Sequence, residues 1–119
     1  MRTPAIIIAL AALAAPVAAQ EIALASGLSV HLFETIDEGA TVRFRFVSPA
    51  VAGLTYESVR EDFLALCESV AIPAIPPSVT EVVLSISASE VTFGESDPSV
   101  VQFFEPFLIE DGRCMWEPF

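Results

Sequence analysis

Phe104-Glu-Pro-Phe-Leu-Ile-Glu-Asp-Gly-Arg-Cys-Met-Trp-Glu-Pro118 is the stretch on which the fold turns. Asp111-Gly112 is a preferred pair for a two-residue type I′ loop, because both central residues of that turn need positive φ. The expected register therefore pairs Glu110 with Arg113, Ile109 with Cys114 and Phe107 with Trp116. Side chains alternate along a strand, so Phe107, Ile109, Cys114 and Trp116 share one apolar face. That face must look into a core. Pro106 cannot donate to a ladder and has to sit at an edge or before regular pairing begins.

Working back along the chain, Tyr56 to Ala71 changes period. Val59, Phe63, Leu66, Cys67 and Val70 fall on one α-helical stripe. Thr55 can cap its start, or Ser58 with Glu61 can form a capping box. Pro73 is expected to end it, since the residue before proline is pushed away from helical geometry. Cys67 on the helix and Cys114 on the ribbon thus point into the same interface. A bridge between them would close a loop of 47 residues and stabilise the fold by roughly 4 kcal/mol in the chain-entropy description. The alternative is two buried free thiols that only pack.

Two further strands precede the helix. Leu28, Val30 and Leu32 alternate with Ser29, His31 and Phe33. After a turn at Asp37-Glu38-Gly39, Val42, Phe44 and Phe46 alternate with Arg43 and Arg45. Inward aromatics and outward arginines describe an antiparallel sheet with one wet face. After the stiff connector Ile72 to Ser78, Thr80 to Ala88 reads as another strand, and Val91 to Phe93 as a short one. Asp97-Pro98 reads as the start of a turn or two of helix running to about Phe103. The expected fold is α+β: an antiparallel sheet of four to six strands with one long helix packed on one face.

The N-terminus carries an export pattern. Arg2 supplies a positive start, Ile6 to Ala15 a short apolar core, and Pro16-Val-Ala-Ala19 a small-residue cleavage site. The apolar run falls short of the roughly 20 residues a bilayer-spanning helix needs. The reading is a cleaved signal peptide over residues 1–19 and one domain over 20–119, delivered by the general secretion route to the periplasm or beyond, with no stable membrane anchoring afterwards. An oxidising compartment favours the disulfide.

The 119-residue chain has 16 acidic side chains, five arginines and no lysine, for a formal net charge of −11. Such a surface repels nucleic acid and anionic lipid. Lysine-based Schiff-base chemistry is excluded. No nucleophile elbow, zinc-binding helix or phosphate loop is present, and no acidic run has calcium-loop spacing. No cofactor and no metal are expected. His31, the only histidine, has no partner that the sequence identifies. What remains is a binding role. Arg43 and Arg45, with His31, are the candidate contacts for an anionic ligand or a partner's carboxylates, although strand arginines commonly pair with glutamates instead. The expected function is a periplasmic binding or protein-interaction module; the alternative is a small exported hydrolase or enzyme inhibitor.

Thr41 to Ala50, Cys67, Val91 to Glu95, Gln102 to Glu105 and the C-terminal Glu110 to Phe119, with its Cys-x-Trp-Glu-x-Phe ending, resemble a family of small exported Gram-negative proteins of uncharacterised function. The resemblance runs from about Leu28 onward. It implies a shared domain and two matched cysteines, and no reaction. The label acetolactate synthase, carried by some members, conflicts with the residues. That enzyme class needs a large cytoplasmic chain that binds thiamine diphosphate.

Overall fold

A computed structural model describes residues 20–118. The expected signal segment lies outside the described residues. Six strands form one sheet in sequential order: β1 (Ile22–Ala23), β2 (Ser29–Asp37), β3 (Thr41–Val47), β4 (Glu81–Ser87), β5 (Gln102–Glu110) and β6 (Arg113–Trp116). Every neighbouring pair is antiparallel except β3–β4, which is parallel. The parallel pair is the one the sequence reading did not separate from the rest. It follows from the helical crossover between Val47 and Glu81, because a long connection returns a strand in the same direction.

That crossover holds a short 3₁₀ turn (Pro49–Gly53) and the helix α1 (Tyr56–Leu66), which continues through a π-helical turn (Cys67–Ala71) into α2 (Ile72–Ala74). Pro73 therefore does not end the helix at its predecessor, as its sequence context implies. Ile72 stays helical at φ −53° and ψ −49°, and its N–H reaches the Cys67 carbonyl five residues back. A widened turn of this kind opens the space where a proline ring would meet the preceding carbonyl. At the start, Thr55 occupies the cap position without a side-chain hydrogen bond. Ser58 Oγ instead donates to the Thr55 carbonyl at 2.7 Å.

Two other expectations are corrected. Val91 to Phe93 is not a strand, and Asp97 to Phe103 is not a helix. Asp97 Oδ1 accepts from the backbone N–H and hydroxyl of Ser99 at 3.0 and 2.6 Å, a local turn that competes with helix formation. The following run of β-branched and aromatic residues then pairs as β5. The 88–101 connection is thereby released to lie across the sheet.

The ribbon register is the expected one: Glu110 opposite Arg113, Ile109 opposite Cys114 and Phe107 opposite Trp116. Asp111 and Gly112 both have positive φ, 52° and 73°. The Ile109 N–H donates to Thr80 at 2.9 Å, so even-numbered β5 residues direct their backbone polar groups towards β6. Pro106 lies past the last β6 pair, where no donor is required.

The inner sheet face packs on the helix through Val30, Phe44, Phe46, Val82, Leu84, Ile86 and Phe107, against Val59, Phe63, Leu66 and Cys67. Cys67 and Cys114 are bonded, with Cα atoms 6.3 Å apart. The bridge pins the helix to the ribbon at the sheet margin.

Candidate functional site

The face of the sheet turned away from the helix is built from the other half of the alternation, and it divides into two unlike regions. Over β2 and β3 it is roofed by the 88–101 connection. Over β5 and β6 it is open.

The roofed region holds the candidate arginines. A bulge at Phe33 shifts the β2 register, so that Glu34 and Ile36 stand opposite Arg45 and Arg43. Arg45 is only 7% exposed, which corrects its placement on a wet face. Its Nη1 donates to Glu34 Oε1, and its Nη2 donates to the Val91 carbonyl at 2.7 Å. Its guanidinium carbon lies 5.0 Å from the Phe33 ring centre and 5.5 Å from that of Phe93, a cation–π arrangement. Arg43 Nε donates to Glu38 Oε1 at 2.9 Å, and its guanidinium is 5.2 Å from the Phe93 ring. Both guanidinium groups are engaged with this chain's own carboxylates and aromatic rings. Their role here is to fasten the connection, and Ser85 and Ser87 are buried beneath it. His31 Nδ1 lies 3.0 Å from Glu21, a partner that strand β1 brings alongside. The structure does not gather His31 with the two arginines into one site.

The open region lies where β4, β5 and β6 run side by side. Val83 stands opposite Pro106, and Leu108 stands between Glu81 and Met115. Phe104 is 53% exposed and Met115 46%. Phe93 reaches the border between the two regions at 44% exposure, and a small pocket of about 100 Å³ there is lined by Val83, Phe93, Glu95 and Phe104 among others. The sequence reading missed this surface. The available signal was Phe104, Pro106 and Leu108 on β5 with Met115 opposite Leu108 on β6, on the far side of the ribbon from Cys114.

The edges of the sheet are less open than its face. The outward N–H of Cys114 on β6 donates to Glu68 Oε2 at 3.3 Å, and Arg113 Nε donates to the same oxygen at 3.0 Å. These two donors, Arg113 first, hold the Glu68 carboxyl below its ordinary range. At the other edge β1 has two residues.

Polar groups on the helix side serve the fold. Tyr56 donates to the buried Glu105 carboxylate. Burial, then that hydrogen bond, push the phenol up to about 12. The Arg60 guanidinium lies 3.9 Å from the Trp116 ring centre. Ser26 donates to the buried Asp62 and accepts the Leu28 N–H at 3.2 Å, tying the lead-in loop to the helix.

Among the described residues no helix is long and apolar enough to cross a membrane. No curated protein and no solved structure matches this chain. The sequence pattern of DUF6497, a family of unknown function, matches residues 7–119, and this chain belongs to that family.

Proposed function

We propose that this protein is an exported binding module that meets a protein partner through the open face of β4, β5 and β6. The observation that carries the reading is the pair of large apolar side chains, Phe104 and Met115, more than two-fifths exposed on one face and joined by Leu108 and Pro106. Contiguous exposed apolar surface on a soluble domain marks an interaction site more often than not, and aromatic and methionine side chains are enriched in such interfaces. The engaged state of Arg43 and Arg45 moves the reading away from an anion receptor. The exposed His31–Glu21 pair gives the hydrolase alternative little support.

Export to the periplasm rests on the N-terminal pattern and is supported by the Cys67–Cys114 bond. Osmotic shock of producing cells is expected to release a chain that begins at Gln20. An intact chain retained in the cytoplasm would contradict export.

The binding reading is tested by placing the photo-crosslinker p-benzoylphenylalanine at position 104 in the native cell, with position 57 on the exposed helix surface as the control. Irradiation is expected to give an adduct of higher mass from position 104 only. No adduct from 104, or equal adducts from both positions, would refute it.

A further inference from the structure

The apolar surface has an acidic border whose carboxylates form no ion pair with an arginine among the described residues. Glu81 is opposite Leu108. Glu110 is two residues beyond Leu108, and Glu117 two residues beyond Met115, on the same side by alternation. Glu95 lines the small pocket beside Phe104 together with Arg43 and Arg45, whose guanidinium groups are taken by Glu38 and Glu34. The salt bridges among the described residues engage Glu21, Glu34, Glu38, Glu61 and Glu68. None of the four border carboxylates takes part. Arg113, the nearest arginine in the ribbon, is turned to Glu68.

Two of the four crowd each other. The Glu117 carboxyl sits against that of Glu81, and the hydrogen bond the pair can share once Glu117 is protonated, then burial and like-charge repulsion, hold it above the ordinary carboxyl range. Its Oε2 is buried and has no hydrogen-bond partner among the described residues. Glu81 itself accepts the Thr41 hydroxyl at 3.0 Å and has no arginine partner among the described residues. An unmatched oxygen beside a like charge gains from an incoming cation.

Resting on the reading of this face as a docking surface, we infer that its occupant is a protein segment with an apolar centre and a rim of lysine or arginine side chains. The apolar centre covers Phe104, Leu108 and Met115, and the cations meet Glu81, Glu95, Glu110 and Glu117. A second copy of this chain is a poor occupant, because it would bring the same acidic rim and a formal charge of −11 to the contact. Anionic bilayers are repelled for the same reason. Addition of a strand at the sheet edge is disfavoured, since Glu68 already occupies the outward N–H of Cys114.

The probe is a synthetic ten-residue peptide of alternating leucine and lysine, with the leucine–glutamate peptide as its control. Both are titrated into the purified protein carrying labelled methionine methyl groups. The chain has two methionines, so the Met115 signal is readily assigned. The leucine–lysine peptide is expected to shift it, the control to leave it unmoved, and affinity to fall about tenfold or more between 50 and 500 mM salt, as the screening length shrinks several-fold. Combined Glu81→Gln and Glu117→Gln substitutions are expected to weaken binding several-fold while leaving Trp116 fluorescence unchanged. Glu95→Gln with Glu110→Gln provides a second pair that touches no hydrogen bond of the fold.

A Met115 signal that ignores both peptides, or responds to both equally, would overturn the basic-partner inference. If adducts from position 104 persisted in cells in that event, the docking surface itself would stand. Concentration-dependent broadening of the Met115 signal without peptide would point to a second copy and overturn the inference. A cellular adduct whose crosslinked segment is acidic would do the same.

Discussion

The two faces of this sheet start from the same strands and end in opposite conditions. On the inner face Phe44, Phe46, Leu84, Ile86 and Phe107 are sealed under the helix. On the outer face Phe104, Leu108 and Met115 come from the same alternation and stay in contact with solvent. The difference lies in what crosses each face. A helix fastened by a disulfide spans the inner one, while the 88–101 connection, fastened by Arg45, reaches across only part of the outer one. Apolar character alone does not bury a residue; a covering element does.

Truncating the two faces should give the largest contrast. Phe107→Ala removes a fully buried ring and is expected to cost about 3–5 kcal/mol, the range for large-to-small core changes. Phe104→Ala, half exposed, is expected to stay within about 0.5 kcal/mol. Urea unfolding followed by Trp116 fluorescence reads both. Equal losses would erase the distinction between the faces.

The fastening of the inner face can be cut directly. Cys67→Ser combined with Cys114→Ser opens a loop of 47 residues and is expected to lower stability by about 4 kcal/mol. An unchanged urea midpoint would show that the bridge holds nothing.

The fastening of the outer face should be weaker. Arg45→Ala strands the Val91 carbonyl and the Glu34 carboxylate, and a loss of about 1–3 kcal/mol is expected. Proteolysis within 88–101 should quicken with it. Arg43→Ala, whose partner Glu38 is partly exposed, should cost under about 1 kcal/mol. If the two arginines proved equivalent, the buried latch would be an ordinary surface pair.

These contrasts also show which parts of the fold were legible. The ribbon register could be read from Asp111-Gly112 alone, because the turn fixes the pairing and the pairing fixes the faces. The helix stripe and the Cys67–Cys114 bond followed from it. Three features depend on tertiary context. The bulge at Phe33 sends Glu34 to Arg45, and no local composition announces it. The helix runs on through Pro73 because a π turn makes room. Val91 and Phe93 have strand-like side chains, yet they serve as the underside of a roof. The small outer residues Ser85 and Ser87 were the trace of that roof in the sequence, since they leave space for a covering segment. The open surface escaped notice for a related reason: Phe104 and Leu108 fall on the face opposite Phe107 and Cys114, and the alternation does not say how far a second element covers that face.

The smallest effect, and one with a clean readout, concerns the hydrogen bond at the helix start. Tyr56 is the only tyrosine, so absorbance near 295 nm titrates it alone. Its phenol is expected to ionise near 12 in the folded protein and near 10 in urea. Because folding raises the value, the stabilisation is fully present below pH 10 and is lost as pH rises from 10 through 12. A folded-state midpoint near 10 would mean that Tyr56 does not donate to Glu105. Tyr56→Phe should cost about 1 kcal/mol.

The claim on which the functional account rests is that the half-covered outer face is where another protein docks. Ultraviolet crosslinking from position 104 in living cells measures this most directly. A single defined adduct, lost when Met115→Asp is added to a chain that still folds, is the predicted result. The absence of any adduct from a folded, exported chain would contradict it.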